Sequence, residues 1–229
     1  LSYGARTLLV KGDFDECLRL VQQASRELGI YLLNSINPWR VEGQKTIVFE
    51  MLQQLGWNAP DFIVLPAGNL GNTAAFGKAL REAKALGLIS KTPRLVSVQA
   101  AGAAPFARAF REEFATRYTV QAETIATAIR IGDPASWDRA VRAIRETDGL
   151  VISATDDEII DAKVTIDGAG VGCEPASAAS VAGVRQLVRD GIIGAGDTVV
   201  AVLTGHVLKD PGMLVELHHR EDYARANRP

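Results

Sequence analysis

The sequence predicts an α/β protein built on a mostly parallel sheet. Short apolar runs alternate with longer stretches of helical periodicity along the chain, and this alternation is typical of consecutive strand–helix units. Hydrophobic residues make up 47% of the 229 residues and charged residues 23%, a balance typical of a globular protein with a full core. The length suits one large domain or a domain and a half.

Charge and cysteine content exclude several classes of protein. The formal net charge of −2 gives no basis for binding nucleic acid or an anionic membrane surface. No apolar run approaches the ~20 residues that span a bilayer. The cysteines, Cys17 and Cys173, are too few for a disulfide framework, and no metal-ligand spacing or serine–histidine–carboxylate order is present. We expect a cytoplasmic protein without a metal site, a nucleic-acid partner or a membrane anchor.

The first elements predict a small strand–helix–strand unit. We expect a strand at Thr7–Val10 and then a helix that Asp13 caps and Gly29 ends. A second apolar run follows at Tyr31–Leu33. Because the first strand comes almost at once and Leu1 is not a methionine, we expect the chain to begin inside a fold.

The middle of the chain continues the alternation of strands and helices. A helix is predicted at Val41–Leu55, ended by Gly56. The next predicted elements are a strand, a helix, a strand and a helix, in that order: Phe62–Leu65, Thr73–Leu86, Leu95–Val98 and Pro105–Phe114.

Capping residues mark the elements of the last part. Asp133, which a proline follows, is expected to start a helix at Trp137–Thr147, and Thr155 with Glu158 forms a capping box. The remaining predicted elements are two strands, an extended piece and a helix: Leu150–Ile152, Thr198–Leu203, Val171–Glu174 and Ser177–Arg189. The second of these strands is apolar after its first residue, which is expected of a strand covered on both faces.

The segment Pro66–Asn72 predicts an anion site. It reads P-A-G-N-L-G-N and joins a predicted strand to a predicted helix. The first helical N–H groups lack internal partners, and the helix dipole places its positive end there. Gly68 and Gly71 allow a close approach of the backbone, while Asn69 and Asn72 tolerate a left-handed conformation and add amide donors. The spacing disfavours a dinucleotide or a nucleoside triphosphate, and a glycine-rich turn without a ligand fits equally well.

The polar loop at residues 34–40 could hold a second anion. It contains Asn34, Ser35, Asn37 and Arg40, and a guanidinium beside amide and hydroxyl donors suits phosphate or carboxylate. The alternative is a polar surface turn stiffened by Pro38, which the spacing alone favours.

Two further loops carry groups suited to a ligand. Thr204 follows the last predicted strand, where a hydroxyl is well placed to bond a heterocycle nitrogen. His206 could titrate near neutrality, but a lone histidine is more often a structural donor. Ser177 follows Glu174 closely, and we interpret this serine as a plain helix cap.

Six segments, taken together, resemble the threonine synthase family. They are N-S-I-N-P-W-R, E-G-Q-K-T, P-A-G-N-L-G-N-T, A-T-A-I-R-I-G, E-P-A-S-A-A-S and L-T-G-H-V-L-K-D-P, in the family's order between Gly4 and Pro211. Each segment alone is weak evidence for a family, but all six in this order are hard to obtain by chance. The resemblance implies a pyridoxal-phosphate enzyme of the tryptophan-synthase-β-like fold (fold type II), with mostly parallel sheets flanked by helices. It also implies a cytoplasmic homodimer.

The resemblance assigns roles to the loops. The family converts O-phospho-L-homoserine and water to L-threonine and phosphate. The resemblance implies that Thr204 bonds the pyridine nitrogen of pyridoxal 5'-phosphate, and that its neutral hydroxyl leaves this nitrogen largely unprotonated. The cofactor's phosphate would be cradled by Gly68, Asn69, Leu70, Gly71 and Asn72. The substrate's phosphate would be held by Asn34, Ser35 and Arg40.

The resemblance also implies that part of the family's site is missing. The Schiff-base lysine and the loop for the substrate carboxylate lie in the family's amino-terminal third. We expect this chain to be the carboxyl-terminal two-thirds, with residues 1–35 left from a small substrate-side domain and residues 36–229 forming the large cofactor domain. None of its lysines matches the catalytic position, and Lys45 is interpreted as structural, so the chain alone is expected to be inactive. A threonine or serine dehydratase, or a non-catalytic binding fragment, remains an alternative.

Overall fold

A parallel sheet forms the centre of the molecule. The computed structural model describes residues 3–219, with side chains for residues 3–216. Within that range the chain contributes four strands: β1 (Phe62–Pro66), β2 (Arg94–Ala100), β3 (Leu150–Ala154) and β4 (Val199–Ala201). All neighbouring strands are parallel, and their spatial order is β3–β2–β1–β4. The predicted parallel α/β architecture is therefore confirmed.

Nine α-helices accompany the sheet in the described range. None of them is long and apolar enough to cross a membrane. In chain order they are α1 (Phe14–Leu28), α2 (Pro38–Gln44), α3 (Thr46–Gln54), α4 (Gly71–Ala85), α5 (Pro105–Phe110), α6 (Trp137–Glu146), α7 (Asp156–Gly168), α8 (Pro175–Arg189) and α9 (Pro211–His219).

The core has one layer on each face of the sheet. All of β1 is buried, and its alternate residues belong to different layers because successive side chains of a strand point to opposite faces. Ile63 and Leu65 belong to the layer that includes apolar residues of α3, α4 and α6. Phe62 and Val64 belong to the layer of α7 and α8. This arrangement places the carboxyl end of β1 between two helical layers.

Capping predictions are confirmed for two helices. Asp13 Oδ1 accepts from the backbone N–H of Glu16 at 2.9 Å at the start of α1, and Gly29 ends that helix with a φ of 65°. The capping box of α7 is formed, because Glu158 Oε2 accepts from the Thr155 N–H at 2.9 Å.

The predicted strand at Thr7–Val10 is wrong. These residues are not paired with any described strand, and Leu8 and Leu9 are 92% and 95% exposed. Tyr31–Leu33 likewise forms no strand. A strand requires a hydrogen-bonded neighbour, and none of the pairings of the four-stranded sheet involves these residues.

The predicted helix at Val41–Leu55 is two helices, α2 and α3, that meet at Lys45. Thr46 Oγ1 donates to the carbonyl oxygen of Gly43 at 2.7 Å. Side-chain bonds of this kind compete with the backbone ladder of a helix. Gln44, the last residue of α2, donates to Asn72 in the glycine segment after β1.

Two elements also differ from prediction in their ends, and one differs in its cap. Helix α5 stops at Phe110 rather than Phe114, whose φ of 62° is left-handed. Helix α6 begins at Trp137 as predicted, but Ser136 rather than Asp133 is at its cap position, and Asp133 pairs with Arg117 at 2.6 Å. The last strand is shorter than predicted and only partly buried, because β4 lies at an edge of the sheet with β1 as its one neighbour.

Candidate functional site

The turn after β1 is shaped by a strained leucine. Leu70 precedes α4 with a left-handed φ of 61° and provides no side-chain cap to the helix. The expectation that Asn69 and Asn72 supply the left-handed residue is wrong, since Leu70 is the residue with positive φ in this turn. That conformation costs a side-chain-bearing residue about 1 kcal/mol or more. The Leu70 side chain, 2% exposed, is packed in the core, which holds the turn in place.

The two glycines of the turn serve different purposes. A Cβ on Gly68 would lie 2.8 Å from Ile129 Cα, so the absence of a side chain there lets the turn pack against the 3-10 helix Thr127–Ile129. A Cβ on Gly71 would contact only Gln44 Oε1, at 3.6 Å. Gly71 therefore leaves open space at the start of α4.

Asn69 fixes the turn and retains an unused donor. Its Oδ1 accepts from the Ala135 N–H at 2.6 Å, and its carbonyl oxygen accepts from the Ser136 N–H at 3.2 Å. Its Nδ2 is buried and has no hydrogen-bond partner among the described residues. An unpaired buried donor is costly, and an acceptor from a bound ligand would satisfy it.

Asn72 and Gln44 join α2 to α4. Gln44 Nε2 donates to Asn72 Oδ1 at 2.9 Å. Lys45 strengthens the same junction, since its Nζ lies 2.7 Å from a Glu42 oxygen and 2.8 Å from Glu82 Oε2. The hydrogen bond from Lys45 lowers the pKa of Glu82. Lys45 thus has the structural surroundings that the sequence suggested.

Ser177 positions the loop that carries Thr204. Its Oγ accepts from the backbone N–H groups of Thr204 at 2.9 Å and Gly205 at 3.0 Å. The prediction that Ser177 caps a helix is wrong: Glu174 occupies the cap position of α8, and Ser177 lies inside the first turn, fully buried. Glu174 Oε1 in turn accepts from Thr204 Oγ1 at 3.2 Å.

A cavity of about 200 Å³ lies where these loops meet. Its wall includes all of Gly68–Asn72 together with Thr204, Ser35 and Arg40, so eight of the nine residues predicted to bind ligands are brought together. Asn34 lines an adjoining cavity of about 600 Å³, which shares Ser35, Arg40 and Asn69 with the first. The predicted site residues therefore form one continuous region.

Six further residues of the smaller cavity were not predicted as ligand contacts: Gln44, Pro66, Ala128, Ile129, Glu174 and Ala176. The segments A-T-A-I-R-I-G and E-P-A-S carried four of them as part of the resemblance, without a stated role. Gln44 lies in the segment E-G-Q-K-T of the resemblance, but nothing in that segment predicts its contact with the site, because the contact depends on a bond to a residue 28 positions away.

Asp15 connects α1 to the loop beside the cavities. Its Oδ2 accepts from the backbone N–H groups of Gly132 at 3.1 Å and Asp133 at 3.2 Å. Burial raises the pKa of Asp15, although the two amide bonds oppose this. Helix α1 is thereby fixed near Ile131, which lines the larger cavity.

The smaller cavity has two chemically different regions. Near Gly71 it has the start of a 15-residue helix, with no acidic residue in the first turn and no side-chain cap, which suits a phosphate. Near Thr204 it has a hydroxyl and the Glu174 carboxylate, which suits a heterocycle with a polar nitrogen. Among residues 3–219, no cluster of histidine, cysteine, aspartate or glutamate could hold a metal ion.

A sequence profile of the family described as "Pyridoxal-phosphate dependent enzyme" matches residues 1–205. The chain belongs to the pyridoxal-phosphate dependent enzymes. The threonine synthase of Methanosarcina acetivorans is 46% identical over 99% of this chain, and that of Methanocaldococcus jannaschii is 46% identical over 91%. The chain covers 56% and 52% of these relatives, so it spans about half of their length. The resemblance to the threonine synthase family is confirmed.

Solved structures show the same fold. The threonine synthase of Escherichia coli superposes with a TM-score of 0.75 at 24% identity, over 98% of this chain and 54% of that one. Maize serine racemase gives a TM-score of 0.70 at 20% identity, over 96% of this chain and 66% of that one. The predicted fold of type II pyridoxal-phosphate enzymes is confirmed.

The cavity fits the family's cofactor. The open space at Gly71 and the unsatisfied Asn69 Nδ2 are suited to a phosphate at the start of α4, and Thr204 offers a hydroxyl to a ring in the same cavity. The burial of Cys173 raises its thiol pKa to about 11, so this neighbour of Glu174 is not a nucleophile at neutral pH.

Proposed function

We propose that this chain forms the cofactor-phosphate half of a threonine synthase, which converts O-phospho-L-homoserine and water to L-threonine and phosphate. The supporting observation is the position of Arg40 and Ser35 in the wall shared by the two cavities, beside the glycine turn. The Arg40 guanidinium has no ion pair or hydrogen bond among the described residues. A substrate with its own phosphate needs such a group in addition to the cofactor's phosphate site.

Each site residue has a physical task in this proposal. The start of α4 and Asn69 Nδ2 hold the cofactor's phosphate by N–H donors and the helix dipole. Thr204 contacts the ring nitrogen. Arg40, with Ser35 and Asn34, holds the substrate's phosphate and stabilises the charge that this group gains as it leaves. The bound cofactor supplies an electron sink for the substrate's carbanion.

The lysine that binds the cofactor covalently is proposed to come from polypeptide outside this sequence. No lysine of the described residues lines either cavity. Lys163, the one that is fully buried, donates to Asp167 Oδ2 and to the carbonyl oxygen of Cys173, both at 2.7 Å. This polypeptide alone is therefore proposed to be catalytically inactive. The homodimer, the cytoplasmic location and the division at residue 35 are part of the same proposal.

A threonine or serine dehydratase is the competing function within the fold. A threonine deaminase of Solanum lycopersicum, isoform 2 in its processed form, superposes with a TM-score of 0.74 at 19% identity. The match covers 94% of this chain and 57% of that one, and it shows only the shared fold. A dehydratase acts on a substrate without a phosphate, so its substrate would need no guanidinium at the position of Arg40.

The decisive assay uses the protein from its complete reading frame, supplied with pyridoxal phosphate. O-Phospho-L-homoserine should release phosphate and threonine in equal amounts. The variant Arg40→Met should raise KM for this substrate at least ~10-fold, which corresponds to one charge-assisted interaction of ~1.5–3 kcal/mol. Loss of ammonia from threonine, with no phosphate released from phosphohomoserine, would instead identify a dehydratase.

A further inference from the structure

Tyr31 lines the larger cavity with its hydroxyl held by a buried side chain. The residue is 68% exposed, yet its Oη accepts from the Nδ2 of Asn37 at 3.1 Å, and Asn37 is only 8% exposed. Asn37 is also the N-cap residue of α2, the helix that carries Arg40. The phenol is therefore open to a ligand, while its oxygen is fixed relative to the start of α2.

The bonds of Asn37 leave the proton of Tyr31 unused. Asn37 Oδ1 accepts from the Trp39 N–H at 2.9 Å, and because only the carbonyl end of an amide accepts, the orientation of this amide is fixed. Its Nδ2 gives one proton to Tyr31 and the other to the carbonyl oxygen of Leu32, at 2.8 Å. An amide nitrogen accepts nothing, and Tyr31 Oη has no further hydrogen-bond partner among residues 3–216. The phenol proton is left for a ligand.

Two amides in the wall of the same cavity have the same pattern. Asn34 Oδ1 accepts from the Ser35 N–H, and Asn69 Oδ1 accepts from the Ala135 N–H. Each bond fixes the orientation of its amide, since the carbonyl end is the acceptor. Within the described part of the chain neither Nδ2 group has a hydrogen-bond partner, so each amide presents an unused donor.

The polar wall of the larger cavity therefore offers donors more than acceptors. Arg40 only donates, and no aspartate or glutamate side chain is among the described residues that line this cavity. Ser25 is spent within the protein, because its hydroxyl donates to the carbonyl oxygen of Ile30 at 2.7 Å. Several unused donors without a carboxylate suit a negatively charged group that has several acceptor oxygens, and phosphate is such a group.

We propose that Tyr31 is a further substrate-binding residue, whose phenol donates a hydrogen bond to the phosphate of the substrate. Asn37 is the positioning residue that holds the phenol oxygen as an acceptor and so keeps its proton for the ligand. Tyr31 retains this proton throughout, and its bond stabilises the charge that the phosphate gains as it leaves. This inference rests on the proposed function, and it adds a neutral donor to the phosphate site of Arg40, Ser35 and Asn34.

Two variants separate the donor from its positioning. Tyr31→Phe removes the phenol oxygen and keeps the ring. Asn37→Asp keeps an oxygen that caps the Trp39 N–H, but the new carboxylate accepts the phenol proton and withdraws it from the ligand. Because the added charge itself repels a phosphate, Asn37→Asp is also made in the Tyr31→Phe protein, where no phenol proton remains to be withdrawn. Tyr118→Phe is the matched control, since its phenol is bonded to Glu112 and lines neither cavity.

The test is a calorimetric titration with inorganic phosphate. The protein from its complete reading frame is first saturated with pyridoxal phosphate, so that the cofactor's own phosphate site is filled. Tyr31→Phe should raise the Kd for inorganic phosphate at least ~10-fold, as expected for the loss of a hydrogen bond to a charged group, and should leave the Kd for the cofactor unchanged. Asn37→Asp should weaken phosphate binding more in the protein that has the phenol than in Tyr31→Phe. Tyr118→Phe should bind phosphate as the unmodified protein does.

Arg40→Met distinguishes failure of this inference from failure of the proposed function. If Arg40→Met weakens phosphate binding and Tyr31→Phe does not, the phosphate site stands and the role of Tyr31 is overturned. An equal effect of Asn37→Asp with and without the phenol would overturn the role of Asn37. If the unmodified protein binds no phosphate, or if both Arg40→Met and Tyr31→Phe bind it unchanged, the proposed phosphate site and this inference are overturned together.

Discussion

Ser177 Oγ accepts the backbone N–H of Thr204 at 2.9 Å, across 27 positions of sequence. Because Ser177 is completely buried in the first turn of α8, it fixes the loop after β4 against a rigid helix. The opposite end of the cavity is fixed independently by the strained turn before α4. Two rigid elements thus set the distance across which a cofactor has to fit.

The variant Ser177→Ala should loosen the loop of Thr204. Two partly buried backbone N–H groups lose their acceptor, and each loss costs up to the ~1–3 kcal/mol of a fully buried unsatisfied donor, because solvent replaces part of the lost bond. We expect a lower free energy of unfolding in urea and a weaker affinity for pyridoxal phosphate. Ser180→Ala is the matched control, because Ser180 is equally buried but bonds only to a helix carbonyl. Equal losses of cofactor affinity in both variants would contradict the role of Ser177.

The variant Asn69→Asp should weaken cofactor binding. The side-chain oxygen that accepts from the Ala135 N–H is kept, but the unsatisfied Nδ2 donor is replaced by a negative oxygen beside a phosphate site. We expect the Kd for pyridoxal phosphate to rise at least ~10-fold, about 1.4 kcal/mol. Asn58→Asp makes the same change on the exposed surface and should leave the Kd unaltered. An unchanged Kd in Asn69→Asp would refute the role of Asn69 Nδ2 as a donor to the cofactor's phosphate.

The variant Gly77→Ala should destabilise the contact between α4 and α6. An added Cβ would lie 2.2 Å from Ala143 Cβ, and overpacking of this kind costs ~1–3 kcal/mol. The gain of ~1 kcal/mol in helix propensity offsets only part of that cost. Thermal unfolding should show a lower Tm. Gly168→Ala, at a helical position with no atom near the new Cβ, should keep or raise the Tm.

Removal of the Lys45 side-chain charge should reduce stability at neutral pH. Lys45 lowers the folded-state pKa of Glu82, so the pair stabilises the folded state above the carboxyl's unfolded pKa. That contribution is lost as the pH falls through the lowered pKa of the folded protein. We expect Lys45→Met to cost ~0.5–1 kcal/mol at pH 7, and less at acidic pH. Lys11→Met is the exposed control, and an effect of Lys45→Met that does not change with pH would argue against the ion pair.

Native thiol labelling should distinguish the two cysteines. Cys173 is 1% exposed with a pKa raised by burial to about 11, so about one thiol in a thousand is ionised at pH 8. Cys17 lies partly exposed on α1. Iodoacetamide at pH 8 should modify Cys17 in the folded protein and Cys173 only after denaturation, as peptide mass analysis would show. Rapid modification of native Cys173 would contradict its burial.

The sheet centre was predictable because its signals are local. The segments of β1, β2 and β3 are apolar runs bounded by turn residues, and each forms a strand where the sequence predicted one. The apolar run at Thr7–Val10 has the same local signal but no pairing neighbour among the described residues. Pairing is a property of the fold and not of the run itself.

The sequence predicted most of the residues that line the candidate site, but it did not predict the contacts that hold them in place. Eight of the nine predicted residues line one cavity and Asn34 lines the adjoining one, as expected for loops that meet at the carboxyl ends of parallel strands. The left-handed residue is Leu70 because its side chain has a core site to fill, which no turn statistic indicates. Likewise, the bond from Thr204 to Glu174 joins residues 30 positions apart, and nothing in either segment predicts it.

In the proposed reaction, the substrate loses its phosphate by elimination and gains water at a different carbon. The most direct test supplies O-phospho-L-homoserine to the cofactor-loaded protein from the complete reading frame, in water enriched in ¹⁸O. Mass spectrometry then locates the label. Elimination breaks the carbon–oxygen bond to phosphate and water adds to carbon, so ¹⁸O should appear in the hydroxyl of threonine while the released phosphate stays unlabelled. Labelled phosphate accompanied by homoserine would show simple hydrolysis of the phosphate ester and would contradict the proposed function.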